Sequence, residues 1–326
     1  MQNLLLYTIC VSGGSPQSSL EAILMTQTAI ELVEVGPRDG LQNEPDIVST
    51  QDKLEMIDRM LGYGARRLEV ASFVHPKRVP QMADAEDVIA GLPDREDTTY
   101  IGLTLNKRGV MRGLATREGG KRGIDQVGCV LVASDTFGQK NQGQTIADGI
   151  AENRDMIRFA KAEGMRAQIT ISAAFGCPFE GDVEFDTVLQ IAGEMAAEAP
   201  EEIALADTIG VGTPAQVSEL FGRLSELLRD EIPMRAHFHN TRGTGIANAW
   251  AAYQSGVRTF DAALGGLGGC PFAPKATGNI ATEDLIYMME RSGIDSGVDL
   301  DAAIATNHWF AEKLGRELPS MVARAA

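Results

Sequence analysis

The feature that most restricts the fold of this chain is a short apolar segment followed by a longer amphipathic one, repeated eight times. Short apolar stretches indicate buried strands, and apolar residues spaced three and four apart indicate helices. Strands are predicted at 30–36, 66–73, 98–105, 124–133, 166–175, 201–207, 233–240 and 257–264. Helices are predicted at 51–64, 80–92, 107–120, 145–164, 185–199, 214–230, 245–256 and 279–293.

Eight strand–helix units in a row predict parallel strands joined by crossover helices. The compact arrangement for such a set is a closed (β/α)8 TIM barrel, and the alternative is a doubly wound open sheet. No GxGxxG motif follows residues 30–36 to support the open sheet. Residues 297–326 predict one or two extra C-terminal helices outside the barrel. Because no low-complexity linker follows Met25, we expect residues 25–326 to form a single domain.

The first 24 residues differ in character from the rest of the chain. Glu21 is their only charged residue, and no basic region precedes the apolar stretch 3–11, as a secretory signal would require. We therefore expect residues 1–24 to be an unstructured or non-native N-terminal extension, with Met25 as the natural start.

Composition excludes several classes of partner. Aspartate and glutamate number 45 against 29 lysines and arginines, which gives a net charge of −16. Such a chain repels nucleic-acid phosphates and anionic lipids, so neither is expected as a partner. The four cysteines are dispersed without a CxxC motif, which favours free thiols in a reducing cytoplasm over a disulfide framework or a zinc ribbon.

Polar residues at the carboxyl ends of the predicted strands are the candidates for function. His237 and His239 point to the same side of strand seven, because side chains alternate along a strand. They could bind one metal ion, or they could be core histidines hydrogen-bonded to carbonyl groups. Asp39 follows strand one and Asn279 follows strand eight, so barrel closure would bring both near the histidines. Two nitrogens and two oxygens suit Mg²⁺ or Mn²⁺, acting as a Lewis acid on a chelating substrate.

Two neighbouring loops carry further candidates. Arg38 in GPRDGLQ (36–42) belongs either to an ordinary surface turn or to a fixed guanidinium beside the metal, where it would stabilise an enolate oxygen. GGLGGCPFAP (265–274) is typical of a mobile active-site loop in which Cys270 gives or takes a proton. The alternative for this cysteine is a small buried hydrophobe.

Seven segments within residues 31–290 carry a family resemblance: VEVGPRDGLQNE (33–44), SFVHPKRVPQMAD (72–84), FGCPFEG (175–181), DTIGVGTP (207–214), HFHNTRG (237–243), GGLGGCPFAP (265–274) and GNIATEDL (278–285). Together they resemble the 3-hydroxy-3-methylglutaryl-CoA lyase family, in an aldolase-like, metal-dependent TIM-barrel superfamily with isopropylmalate synthase and homocitrate synthase.

This resemblance implies a divalent-metal-dependent carbon–carbon lyase that cleaves 3-hydroxy-3-methylglutaryl-CoA to acetyl-CoA and acetoacetate, as in leucine degradation. The roles that it implies are metal ligation by Asp39, His237, His239 and Asn279, enolate stabilisation by Arg38, and catalysis by Cys270 and Glu69. We also expect an acyl-CoA substrate, a cytoplasmic location and a homo-oligomer, either a dimer or a tetramer.

The chain departs from the family pattern beside the metal site. The family usually reads His-x-His-Asp-Thr-Tyr-Gly, whereas Asn240 and Arg242 stand here in place of the Asp and the Tyr. Arg242 could bind a substrate carboxylate or a CoA phosphate, or it could pair with an acidic neighbour. The substrate could therefore also be citramalyl-CoA or a longer 3-hydroxy-3-alkylglutaryl-CoA. An acyl-CoA condensing synthase and a catalytically silent CoA-binding barrel are the remaining alternatives.

Overall fold

In the computed structural model, which describes residues 29–269 and 278–326, eight parallel strands form a closed barrel in sequence order. The strands are β1 (Glu31–Glu34), β2 (Arg67–Ser72), β3 (Thr99–Thr104), β4 (Gln126–Val132), β5 (Arg166–Ser172), β6 (Ile203–Asp207), β7 (Met234–Phe238) and β8 (Thr259–Ala262). Strand β1 pairs with β2 on one side and with β8 on the other, which closes the barrel. The TIM-barrel prediction is confirmed, and the open sheet is excluded.

Helices surround this barrel. The α-helices of the described residues are α1 (Thr50–Gly62), α2 (Ala85–Ala90), α3 (Lys107–Ala115), α4 (Asp135–Asn141), α5 (Ile146–Ala162), α6 (Phe185–Ala196), α7 (Pro214–Leu228), α8 (Gly245–Gln254), α9 (Thr282–Arg291), α10 (Leu300–Leu314) and α11 (Met321–Ala325). Helices α10 and α11 confirm the extra C-terminal helices. None of these helices is long and apolar enough to cross a membrane. Residues 1–24 lie outside the described residues, so the extension stays a prediction.

Helix α7 illustrates why the predicted helices form and where they pack. Thr213 and Gln216 form a capping box at its start, and Pro214 occupies the first turn, where a backbone N–H is not needed. The ring of Phe221 lies 6.5 Å from the ring of Phe238 on β7. The buried residues of α7 recur at intervals of three and four: Val217, Leu220, Phe221, Leu224 and Leu228.

Two helical segments differ from the prediction. Helix α4 was not predicted, because DTFGQKN (135–141) has no apolar repeat; it begins where the Ser134 hydroxyl accepts a hydrogen bond from the backbone N–H of Phe137. The helix predicted at 80–92 is divided into a short turn and α2. Asp84 lies between them, with its carboxylate bonded to Lys53 Nζ at 2.5 Å instead of capping α2.

The inside of the barrel is polar towards the amino ends of the strands. Hydrogen bonds connect the side chains of Arg67, Gln126, Gln168, Glu202 and Arg235 in this layer. Apolar packing therefore lies mainly between the strands and the helices, and the barrel interior provides a charged floor beneath the carboxyl ends.

Candidate active site

A cavity of about 1010 Å³ opens at the carboxyl ends of the strands, where barrels of this type carry their active sites. Phe73, Leu103 and Val130 form part of an apolar wall. The charged and histidine side chains that line the cavity include Arg38, Asp39, Glu69, Arg235, His237, His239 and Asp261. Most of the residues predicted from the strand ends therefore meet in one place.

A tight turn after β1 aims Arg38 and Asp39 into this cavity. The backbone N–H of Asp39 donates to the carbonyl of Val35 at 2.8 Å, which closes a single helical turn over Gly36–Gly40. Pro37 is the second residue of the turn, and four of its five residues are buried. The segment is therefore not an ordinary surface turn.

Arg38 lies between two carboxylates. Its Nη1 donates to Asp39 Oδ1 at 2.6 Å, and its Nε donates to Glu69 Oε1. Burial alone would lower the pKa of the guanidinium, but Glu69 and Asp39 outweigh it and raise that pKa. The side chain is 11% exposed, so a fixed positive charge is held within the cavity wall.

The rings of His237, on β7, and of His239, which directly follows the last residue of that strand, have centroids 5.2 Å apart. His237 Nδ1 is 2.9 Å from Asp261 Oδ2, which leaves Nε2 to face the cavity. His239 Nε2 is 3.9 Å from Asp39 Oδ2, and its buried Nδ1 has no partner among the described residues. Ligand atoms of Asp39 and both histidines lie within 4.8 Å of one another. Neither ring is the carbonyl-bonded core histidine of the alternative interpretation.

Asn279 joins the same group through a short stretch of backbone pairing beyond β7. The N–H of Asn240 donates to the carbonyl of Gly278 at 3.0 Å, and residue 279 forms a bridge with His239. The Asn279 Nδ2 donates to Asp39 Oδ2 at 2.8 Å. Its Oδ1 is buried and has no hydrogen-bond partner within the described part of the chain.

These four side chains fit a divalent cation. Buried polar atoms without partners are rare and costly, yet these four side chains carry two among the described residues, Asn279 Oδ1 and His239 Nδ1. Burial raises the pKa of Asp39, but Arg38 and the two histidines outweigh that effect and hold it well below its usual range. Burial and the neighbouring His237 lower the pKa of His239 to about 4. At neutral pH the carboxylate is thus charged and this imidazole neutral, the protonation states that bind a metal.

Asp261 was missed in the sequence. The parallel register of β7 and β8 places it directly beside His237, where its Oδ2 bonds to Nδ1. Burial raises the pKa of Asp261, but the opposing effects of Arg235 and His237 are together larger. The pKa of this carboxyl group is therefore below its ordinary value. The signal was the single acid of the predicted strand 257–264, a residue type that is rarely buried without a partner.

Two further buried acids were missed, and both hold the backbone that leads into the Gly-rich loop. Glu34 Oε1 accepts the N–H of Leu264 at 3.0 Å, and Glu283 accepts the N–H of Gly265 at 3.0 and 3.1 Å. Gly265 has φ +65°, and a Cβ there would collide with Leu318, so glycine is required. Cys270 itself lies outside the described residues.

Arg242 is not among the described residues that line the cavity. Its Nη1 donates to the carbonyls of Ile209 and Gly210, at 3.0 and 2.9 Å, in the loop after β6. The carboxylate of Asp207 holds the same loop from inside by accepting the N–H groups of residues 211 and 212 at 2.9 and 2.8 Å. The structure thus brings together all predicted site residues that it describes except Arg242.

Comparison with known proteins identifies a matching family and several relatives of this chain. A family model described as HMGL-like matches residues 29–309. The (R)-citramalyl-CoA lyase of Chloroflexus aurantiacus is 41% identical over 307 residues, which cover 91% of this chain and 95% of that protein. The 3-hydroxy-3-isohexenylglutaryl-CoA/hydroxymethylglutaryl-CoA lyase of Pseudomonas aeruginosa is 37% identical over 299 residues, which cover 91% of this chain and 96% of that protein.

A solved structure agrees with these matches. The structure of an HMG-CoA lyase from Acinetobacter baumannii, in complex with coenzyme A and 3-methylmalate, superposes with a TM-score of 0.86. Its sequence identity is 38%, and the match covers 92% of this chain and 96% of that one. The resemblance predicted from the sequence motifs is confirmed. The chain belongs to the HMGL-like family.

Proposed function

We propose that this chain is a divalent-metal-dependent carbon–carbon lyase that cleaves 3-hydroxy-3-methylglutaryl-CoA to acetyl-CoA and acetoacetate. One observation carries the proposal: a set of metal-binding side chains converges beside a buried guanidinium, namely Asp39, His237, His239 and Asn279 beside Arg38. The names of the relatives support the same chemistry, since they describe lyases of 3-hydroxyacyl-CoA thioesters.

These four residues would hold Mg²⁺ or Mn²⁺, which would supply Lewis-acid chemistry that acidifies a hydroxyl group and orients a carboxylate. A water molecule or an imidazole near Glu69 and Asp39 accepts the proton of the substrate C3 hydroxyl. The C2–C3 bond then breaks: C3 becomes the keto carbon of acetoacetate, and the bonding electrons form the enolate of acetyl-CoA. Arg38, fixed by Glu69, stabilises the enolate oxygen. Cys270 donates a proton to the enolate carbon and completes acetyl-CoA.

A second substrate, citramalyl-CoA, is favoured by the 41% identity to the lyase of Chloroflexus aurantiacus. The same residues would break the equivalent bond and release pyruvate in place of acetoacetate. A longer 3-hydroxy-3-alkylglutaryl-CoA is the third candidate, because the relative from Pseudomonas aeruginosa is named for an isohexenyl substrate as well.

For Arg242 we propose a supporting role in place of substrate binding. The support for this role is that its Nη1 donates to two carbonyls of the loop after β6, and that its side chain does not line the described cavity. We also propose a cytoplasmic homo-oligomer, a dimer or a tetramer, that acts in leucine degradation. The dispersed cysteines and the net charge of −16 are consistent with a reducing compartment and with a partner set that excludes nucleic acids and membranes.

The function is tested by measuring acetyl-CoA release from three thioesters: hydroxymethylglutaryl-CoA, (R)-citramalyl-CoA and 3-hydroxy-3-isohexenylglutaryl-CoA. Each is assayed in chelator alone and after addition of Mg²⁺ or Mn²⁺. We expect metal-dependent release, with the highest kcat/KM on the first thioester. Asp39→Ala should lower kcat/KM by about three orders of magnitude or more, because it removes a ligand. Asp182→Ala, an exposed acid in the loop after β5, is the matched control and should keep wild-type activity.

Two results would contradict the proposal. Activity that persists in chelator, or that is equal in Asp39→Ala and in the wild type, would exclude the metal centre. A kcat/KM at least tenfold higher on (R)-citramalyl-CoA would keep the chemistry and transfer the assignment to that substrate.

A further inference from the structure

Arg235 is a buried cation in the floor of the cavity that the mechanism above does not use. It precedes the metal-binding His237 by two residues on β7, points into the barrel and is 1% exposed. Its Nη1 bonds to Gln168 and to Glu202 Oε1, the latter at 3.0 Å, and its Nη2 donates to Thr170 Oγ1 at 3.0 Å. Burial of a guanidinium costs desolvation free energy unless well-placed partners offset it. The position of Arg235 next to a candidate cation site therefore requires an explanation.

The remaining nitrogen of Arg235 connects it to the metal ligand. Its Nε lies 3.4 Å from Asp261 Oδ1, while the other oxygen of that carboxylate lies 2.9 Å from His237 Nδ1. Neither Arg235 Nε nor Asp261 Oδ1 has a hydrogen-bond partner among the described residues, so the contact between them is an ion pair without a hydrogen bond. Asp261 thus bridges the guanidinium and the imidazole, with one oxygen for each.

This bridge determines how His237 is presented. A carboxylate at Nδ1 keeps the proton on that nitrogen and leaves the lone pair of Nε2 for a metal. A carboxylate held at one oxygen only can rotate about its terminal bond, whereas an ion pair at the second oxygen opposes that rotation and favours the orientation that faces the imidazole. We propose that Arg235 is a positioning residue that acts through Asp261 to hold His237 in its metal-binding orientation. This inference rests on the proposed metal site.

The direction in which metal affinity changes when Arg235 is removed tests this inference, because electrostatic repulsion alone predicts the opposite direction. A positive charge close to a cation site repels the cation, so removing Arg235 without any other change would strengthen metal binding. If Arg235 acts by holding Asp261 in place, its removal weakens metal binding instead. Loss of a group that orients a metal-binding histidine typically costs about 10- to 100-fold in metal affinity.

The experiment measures Mn²⁺ affinity of the full-length, metal-free protein by titration calorimetry, so that no substrate or turnover is involved. The variants are Arg235→Gln, Asp261→Asn, the double variant and Arg67→Gln as the matched control. Arg67 is also a barrel arginine and pairs with the same Glu202 at 2.6 Å, but its ion pairs among the described residues are with glutamates and not with Asp261. Because Arg67 remains to pair with Glu202, Arg235→Gln leaves that acid compensated.

We expect Arg235→Gln and Asp261→Asn each to weaken Mn²⁺ binding by about 10- to 100-fold, and Arg67→Gln to change it by less than about twofold. The double variant should bind no more weakly than Asp261→Asn alone, because Arg235 has no effect once the bridge is gone. The ¹⁵N spectrum of the four histidines in the metal-free protein gives a second reading. It should report a fixed Nδ1–H tautomer for His237 in the wild type and a mixture in Arg235→Gln.

Mn²⁺ binding that is unchanged or tighter in Arg235→Gln, or effects that add in the double variant, would overturn the inference. If Arg235→Gln does not fold, Arg235→Lys replaces it in the same cycle. The ammonium group of lysine cannot reproduce the several directed contacts of the guanidinium. Arg235→Lys should therefore weaken Mn²⁺ binding as a single substitution and have no effect when combined with Asp261→Asn. A wild-type protein that binds no Mn²⁺ would refute the proposed metal site itself, a result distinct from any of these.

Discussion

Glu283 should make the stability of this protein depend on pH in a defined window. The side chain is buried at the start of α9, where it accepts hydrogen bonds from the N–H of Gly265 and from Asn307 Nδ2. Burial raises its pKa from 4.5 to about 7, and the nearby Glu34 adds to the effect. Since one pKa unit corresponds to about 1.4 kcal/mol, this difference corresponds to about 3 kcal/mol of folding free energy.

The sign follows from which state binds the proton more tightly. The folded state does, so the stabilising contribution of Glu283 is fully present below pH 4.5 and is lost as the pH rises through about 7. Glu283→Gln carries no titratable group there. The wild type should therefore lose about 3 kcal/mol relative to this variant between these pH values, whatever constant offset the lost carboxylate hydrogen bonds introduce.

The measurement is the free energy of unfolding from urea titrations at several pH values between 4.5 and 8.5, for the wild type and Glu283→Gln. Glu312→Gln, an exposed glutamate on α10, is the control and should follow the wild type at every pH. A difference between wild type and Glu283→Gln that stays constant across this range would refute the reasoning. It would mean that the buried carboxyl titrates as it does in the unfolded chain.

Three further changes test other parts of the molecule. Cys270→Ala should lower kcat strongly and leave KM nearly unchanged, because a proton donor acts only in the chemical step; steady-state kinetics that show a raised KM and an unchanged kcat would make it a packing residue. Arg242→Tyr should change the ratio of kcat/KM for hydroxymethylglutaryl-CoA and citramalyl-CoA by less than about tenfold, whereas a larger change would make it a specificity residue. Deletion of residues 1–24 should leave the melting temperature and the activity unchanged, and a fall of several degrees would show that the segment packs on the barrel.

The barrel could be predicted because its strands and helices are specified locally. Apolar spacing within each segment determines which faces are buried, and eight units of this kind close in only a few ways. The candidate metal site could be predicted by the same reasoning. The two-residue period of β7 puts His237 and His239 on one face, and barrel closure brings Asp39 of the first loop beside them.

Two of the three missed acids, Asp261 and Glu34, depend on the register between neighbouring strands. Asp261 meets His237 because β8 aligns with β7 at that position, and one residue of slip would have turned the acid to the other face. Glu34 has the same origin, since its carboxylate bonds to the backbone of residue 264, which is 230 positions away. Local patterns carry no information about such pairings, and a buried acid in an apolar segment is the only trace that they leave.

Arg242 shows where reasoning from a strand end stops being valid. It lies three residues after His239, and this nearness suggested a position at the mouth of the cavity. Strand β7, however, ends at Phe238, so the alternation that aims the two histidines inward no longer controls the direction of later side chains. The guanidinium turns to the loop carbonyls of Ile209 and Gly210 instead. Residues within the strand or paired to it, such as His239 and Asn279, can be assigned to the site from sequence, because their direction is set by backbone hydrogen bonds. Residues beyond that pairing are placed by whichever partners the neighbouring loop offers, and those partners become known only from the structure.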